Sequence, residues 1–430
     1  MGLESVNYQC PACGGPLRFD PGKQQLVCDH CGSDFWPSDI ERMYAGKNEQ
    51  AQNAAEAAAA SADGTAEAAY VCSSCGAELV SDGTTAVTTC PYCGNPVVAT
   101  AQLSGVFAPK LVLPFHHDRK AATEALQNHY KGKILLPKSF KSGSHVDEIQ
   151  GVYVPFWLYN AHPTGTATFE ATRERRWRQG DDEIIETDHF DCLRTGIMDF
   201  EHIPVDGSTK MPDGHMDAIE PYDFKELLPF STVYLPGYVA NRWDEDAETC
   251  QPRAEKRLSQ TVQDELEKTV KGYDTVSCTE CEVDPRWVSA TYAMLPVWML
   301  HTSWNGQDFL FAMNGQTGRL VGDLPISKPK LAGIAAVVYI VLMGLMMAVF
   351  GAGLFEDWDP MLQNLVTFGV PALVDLLICL ALVGQMHTAV EAHDAGNYLD
   401  GDATIVESND TFTHTTRQVI HHEKKEEKKD

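Results

Sequence analysis

Residues 10–31 read CPACGGPLRFDPGKQQLVCDHC and residues 72–93 read CSSCGAELVSDGTTAVTTCPYC. Cys10, Cys13, Cys28 and Cys31, then Cys72, Cys75, Cys90 and Cys93, thus share the spacing C-x2-C-x14-C-x2-C. A tetrahedral zinc ion takes four thiolates at about 2.3 Å, and a two-residue gap lets one tight turn present two of them. A hairpin that returns a second such turn closes the shell. Gly14, Gly32, Gly76 and Gly94 each follow the second cysteine of a turn, where positive φ lets backbone amides wrap toward sulfur. The duplication predicts two zinc ribbons holding two structural ions, because four thiolates leave no coordination position for chemistry. Four disulfides are the competing reading, but paired CxxC turns without a secretory leader point to a reducing compartment and metal. A fold of about thirty residues needs its ion to hold together.

The surroundings of the ribbons are acidic. Over 430 residues, 33 Lys and Arg stand against 60 Asp and Glu, a formal net charge of −27. Residues 1–40 hold Arg18 and Lys23 against Glu4, Asp20, Asp29, Asp34 and Asp39, and residues 70–100 hold no base against Glu78 and Asp82. Phosphate backbones are bound by clustered cations, so no nucleic-acid partner is expected.

Residues 331–355 carry no charge over 25 positions, enough to cross a hydrocarbon core of about 30 Å. After the turn Glu356-Asp357-Trp358-Asp359-Pro360, a second span over residues 361–384 carries one charge, Asp375, and Pro371 predicts a kink. Lys328 and Lys330 precede the pair, and Arg417 and the lysines from Lys424 follow it. By the positive-inside rule this is a two-span hairpin of the cytoplasmic membrane with both termini cytoplasmic. Gly344, Ala348 and Ala352 form a small-residue face suited to close helix packing and to oligomerisation through the hairpin. A charge at mid-membrane costs about 2.5–3.5 kcal/mol. Asp375 is therefore expected to bond Tyr339 or a partner helix, with ion or proton transfer as the alternative.

Between ribbon 1 (1–40) and ribbon 2 (70–100), residues 41–69 are alanine-rich and read as a linker. Residues 106–325 read as a cytosolic α+β domain with an internal duplication, about 106–230 and 231–325, and residues 385–430 as a cytoplasmic tail. Asp118 caps a helix bearing Ala122, Ala125, Leu126 and His129 that stops at Lys131-Gly132. A longer one bearing Ala254, Leu258, Val262, Leu266 and Val270 stops at Lys271-Gly272. Thr164, Thr166 and Thr168 alternate with Ala167, Phe169 and Ala171, the mark of an antiparallel sheet with one wet face. Phe309–Met313 and Arg319–Val321 flank Asn314-Gly315-Gln316-Thr317-Gly318, a hairpin signal. Residues 181–248 hold eighteen acidic side chains against four basic ones, a net −14, read as a solvated face or a docking surface for a basic partner or cation.

Three signals are weaker. Asp206-Gly207-Ser208-Thr209-Lys210 lacks the order of a phosphate loop. His189, His202 and His215 lie among carboxylates but without helical ligand spacing. Cys278 and Cys281 form a third CxxC in a stretch that reads as a strand, where residues three apart point to opposite faces; they read as ordinary thiols, like Cys192, Cys250 and Cys379.

CPACGGPLRFD, TTCPYCGNPVV, EIQGVYVPFWLYNA, IPVDGSTKMPD, MDAIEPYDF, YLPGYVANRWD, LPVWML and AMNGQTGRLVGDLP, followed by the two apolar runs, resemble the bacterial TFIIB-type zinc-ribbon-containing integral membrane proteins. The resemblance covers nearly the whole chain. It implies membrane anchors that accompany envelope-stress machinery, including SPFH-type and phage-shock-type scaffold proteins, and it carries over the eight cysteines but no catalytic residue. The expected function is a zinc-stabilised adaptor recruiting protein partners to the inner membrane face, not an enzyme. The alternatives are a membrane-associated metal-dependent hydrolase or transferase using the His/Asp-rich middle, and a small transporter subunit built on Asp375.

Overall fold

A computed structural model of the chain describes residues 3–4, 7–59, 69–72, 75, 77–80, 84–90, 96–141, 149–180, 182–351, 359–389 and 392–421. Two compact units divide it: Met1–Val154, Lys210–Arg242 and Met294–Glu391 form the first, and Pro155–Thr209, Trp243–Ala293 and Ala392–Asp430 the second. The architecture is mixed α and β, as expected. The sequential halves expected within 106–325 are not the units; each unit gathers three separate stretches of chain.

The first unit opens on β1 (Leu3–Glu4), then β2 (Leu17–Asp20), β3 (Gln25–Cys28) and β4 (Asp34–Phe35), an antiparallel three-stranded sheet in the order β2-β3-β4. Leu17 and Phe19 alternate inward with Arg18 and Asp20 outward. Helix α1 (Pro37–Ala59) follows, opened by proline, whose fixed φ suits a first helical position. The segment expected as linker is thus helical to Ala59, and alanine, the strongest helix former, accounts for it. Strands β5 (Ala69–Val71) and β6 (Glu78–Val80) form a small sheet with β1, and β7 (Thr85–Thr89) pairs with β8 (Pro96–Val98). After β9 (Leu111–Val112) comes α2 (Arg119–His129), where the Asp118 carboxylate accepts from Ala121 N at 2.8 Å and Gly132 ends the turn at φ 75°. A short α3 (Lys138–Lys141) leads to β10 (Gln150–Ala161), within which the chain passes to the second unit.

The second unit is built on β11 (Thr164–Gln179), β12 (Asp182–Ile197) and β13 (Phe200–Asp206). Gly165, Ala167, Phe169 and Ala171 are buried, while the threonines between them are not, which realises the expected alternation. The chain then supplies the first unit with α4 (Asp213–Ala218), β14 (Leu228–Pro229) and β15 (Val239–Asn241), and returns to the second with α5 (Ala247–Glu267). Ala254, Leu258, Val262 and Leu266 of α5 are all 0 % exposed. The helix lies so close that a Cβ on Gly165 would stand 2.3 Å from Val262 Cγ1. Next come β16 (Thr275–Asp284) and β17 (Trp287–Trp304), the latter passing back to the first unit, where β18 (Gln307–Asn314) and β19 (Leu320–Gly322) form the expected hairpin. There the Asn314 side chain accepts from Gln316 N and Thr317 N.

Helices α6 (Lys328–Gly351) and α7 (Pro360–Gly384) pack against each other. The chain ends its described part in β20 (Thr404–His421), antiparallel to β12 along nearly its whole length, giving the four-stranded sheet β16-β11-β12-β20. The stretch expected as a tail is therefore, over these residues, a sheet strand. Its run of Thr, Val and Ile suits a pleated surface. Before it, Ala395 N donates to Thr261 Oγ1 at 2.7 Å, and buried Arg257 of α5 donates to the Asp394 and Pro204 carbonyls.

Candidate metal centres

The first cysteine set converges. Sγ of Cys10 lies 3.6 Å from that of Cys31, and Sγ of Cys13 lies 3.5 Å from that of Cys28. All four sulfurs fall within 4.8 Å of one another. Four thiolates at about 2.3 Å from a tetrahedral ion stand about 3.8 Å apart, so the set is of the right size for zinc. The two turns that present it are alike: Gly14 N donates to Cys10 O and Gly32 N to Cys28 O, with Gly14 at φ 74° and Gly32 at φ 73°. A Cβ at Gly15 would crowd the set, meeting His30 Cβ at 3.0 Å and Cys28 Sγ at 3.3 Å. Hydrogen bonds from the Ser33 side chain and backbone hold the exposed Cys31 thiol down at about 6, while Cys13, despite the Gly15 amide, is pushed up to about 12 by the Cys31 and Cys28 sulfurs. All four therefore ionise together only with an ion to offset their repulsion.

In the second set Cys72, Cys75 and Cys90 group together, with Cys75 and Cys90 sulfurs 3.8 Å apart. Cys93, Gly76 and Gly94 lie outside the described residues.

Neither ribbon stands free within the first unit. Val233 and Tyr234 pack into the core of ribbon 1 with Tyr8, Cys10, Leu17, Leu26, Cys28 and Ile40. Phe19 N donates to Pro236 O at 3.0 Å, and Gln24 Nε2 to Phe115 O at 2.8 Å. In ribbon 2, β7 pairs with β15, and Arg242 N donates to Thr84 O at 2.8 Å. The two bases of ribbon 1 are both neutralised, Arg18 by Asp29 at 3.2 Å and Lys23 by Asp34 at 3.6 Å. Beside ribbon 1 a cleft of about 680 Å³ is lined by Arg18, Asp20, Asp118, Lys120, Tyr238 and Trp298 among others.

The remaining candidates fare differently. His189 stacks on His414 at 4.4 Å and faces Glu170 and Thr416, His202 sits at φ 60°, and His215 on α4 meets Leu310 O. The three histidines are not brought together, and among the described residues no group of three possible ligands besides the cysteine sets converges. Gly207 of the supposed phosphate loop is packed against Trp157 and Glu245 O, and Thr209 bonds Asp244. The acidic stretch is not wholly a wet face, because Asp206, Asp217 and Glu220 are buried. Asp375 is met not by Tyr339 but by Cys379 on its own helix, at 4.0 Å. Cys278 and Cys281 correct the sequence reading. Phe169 pairs with Cys278, Thr168 with Glu280 and Ala167 with Cys281, so a bulge at Thr279 puts both thiols on one face.

The apolar helices are exposed, with 0 % of the span in Lys328–Phe350 and 11 % of that in Met361–Gly384 buried. Both are long and apolar enough to cross a membrane. Their outer ends are tied to each other: Leu324 N donates to Met386 O at 2.8 Å, and Thr388 Oγ1 bonds Gly322 N and O. Of the small-residue face, Gly344 faces open space and Ala352 lies outside the described residues.

Fold and site together define an α+β protein with two N-terminal cysteine clusters of the zinc-binding kind and a pair of apolar helices. The model of the Trm112p-like protein family matches residues 9–35, the first ribbon. The chain is 34% identical over 341 residues to a protein of Bacillus subtilis (strain 168) called uncharacterized protein YdjG, an alignment covering 78% of this chain and 96% of that protein. It belongs to the YdjG family. No solved structure matches it.

Proposed function

We propose that the chain is a zinc-stabilised adaptor, anchored in the cytoplasmic membrane by α6 and α7 as a hairpin, that recruits protein partners to the inner face. The observation that carries this reading is the hydrogen bond between Leu324 and Met386 at the two outer ends of exposed apolar helices. Chain that enters and leaves a bilayer at one point crosses it an even number of times, which agrees with the lysine flanks. Anchoring confines the ribbons and body to a thin layer and raises the effective concentration at which weak partners meet them. The four-thiol shell of ribbon 1 and its ion-paired cations support a protein partner over a nucleic acid. SPFH-type or phage-shock-type scaffolds in envelope stress are the proposed partners, on the family resemblance alone.

The test follows from the paired ends. Residues 331–384 are replaced by a short Gly/Ser linker, which keeps β20 in place, and in a second variant by an unrelated helical hairpin. Proteins crosslinked to each chain in intact cells are then identified. The linker variant is expected to lose membrane recruitment and the foreign hairpin to retain it. Equal recruitment by the linker variant would remove the adaptor reading.

A further inference from the structure

Cys278 and Cys281 form a dithiol that neither the ribbons nor the anchor uses. The bulge at Thr279 aligns them opposite Phe169 and Ala167, which are buried on the face of β11 that α5 covers. Along β16 the inward positions run Val276, Cys278, Cys281 and Val283, all half-buried, with both Thr279 and Glu280 exposed between the thiols. Cys278 Sγ donates to Glu280 O at 3.4 Å, so it leans along the strand toward its partner.

We propose that this pair is a binding site for a soft monovalent cation, Cu(I), held between two thiolates. Three physical points select the ligand. Cys278 and Cys281 face Phe169 and Ala167, which as alternate residues of regular β11 stand about 7 Å apart at Cα, at the upper limit for a direct disulfide. Two metal–sulfur bonds of about 2.3 Å reach further than one S–S bond of about 2.05 Å. Thiolates select soft ions such as Cu(I), and two of them suffice for that d10 ion, whereas zinc wants four ligands. Among the described residues no third ligand converges on the pair.

Burial raises both thiols, Cys281 to about 11 with the Cys278 sulfur contributing, and Cys278 with Glu267 contributing. Both are therefore protonated at neutral pH. Binding follows Cu(I) plus two RSH giving a bis-thiolate complex of net charge −1 and two released protons, with no change in oxidation state. The affinity should accordingly rise about 100-fold per pH unit near neutrality.

The experiment uses the full chain in mild detergent, zinc-loaded, reduced and anaerobic, titrated with Cu(I) buffered by bicinchoninate. Wild type is expected to take one equivalent that Cys278→Ser, Cys281→Ser and the double variant do not take, before any zinc is released. Equal uptake by wild type and double variant, or uptake only with matching zinc loss, overturns the site. A second measurement needs no variant: X-ray absorption of the one-equivalent wild-type sample should show two sulfur neighbours and no others. Three or four sulfurs would place the ion in a ribbon instead.

Discussion

At the scale of single residues, the glycines that let ribbon 1 dock matter as much as the cysteines that bind its ion. Gly237 sits at φ 97°, and a Cβ there would meet Arg18 Cγ at 2.5 Å. Gly237→Ala should therefore cost about 1–3 kcal/mol of local strain, read as a lowered Tm and faster zinc loss to a chelator, with unchanged zinc stoichiometry at excess metal. Cys13→Ser should halve the metal content of the purified chain from two zinc ions to one by elemental analysis. Because Val233 lies in the ribbon core, this variant should also raise amide exchange over residues 231–238. Protection there equal to wild type would show that the ribbon folds apart from the body. The four cysteines of ribbon 1 were legible in the sequence, since their spacing is set by one ion's bond lengths. Val233 was not, because a shared core depends on which distant segment the hairpin meets.

At the scale of elements, periodicity announced helices and strands wherever one face is buried. Asp118, the Lys131-Gly132 stop and the Ala-Phe-Ala alternation in β11 all act locally, whereas α5 ends at Glu267, before the expected Val270 and Lys271-Gly272 stop. Two elements escaped. The bulge in β16 is a mismatch between two strands, and one strand alone does not reveal it. Strand β20 is exposed along most of its length, so no buried alternation marks it; its β-branched content was the available signal. Beyond its ladder with β12, β20 is tied by Arg194, 3% exposed, bonded to Asp410 at 2.6 Å, with Tyr273 OH donating to the same carboxylate at 2.9 Å. Asp410→Ala leaves the buried guanidinium without its carboxylate, keeping only the Leu193 carbonyl, and should cost about 2 kcal/mol, seen as raised exchange across residues 404–421. The Arg194 hydrogen bond holds the Asp410 carboxyl below its ordinary value. Its contribution is thus complete at neutral pH and is lost only as pH falls below about 4 through the folded value. Loosening of β20 beginning near pH 7 would contradict this assignment.

At the scale of the whole molecule, composition and hydropathy foretold ribbons, an α+β body and two apolar helices, while the division into units was hidden. Each unit is assembled from three stretches of chain, and no compositional boundary separates them. The hairpin reading makes a direct prediction. Reporters fused before Met1 and after Asp430 should both give cytoplasmic signals, and one inserted beside Glu356 should not. Opposite signals at the two ends would eliminate a hairpin and, with it, the paired attachment at Leu324 and Met386.

The pairing of β20 with β12 also sets an order of events during synthesis. Ile197 and Thr404 face each other in the finished sheet, yet roughly two hundred residues separate them, or about 10–40 s at a ribosome's pace. Both apolar helices are made in that interval. Strand β12 must wait with an open edge, the kind of surface that invites wrong pairing, until α6 and α7 have left the ribosome. Completion of that sheet thereby follows the making of both helices, and a chain stalled before them keeps an unpaired β12 edge.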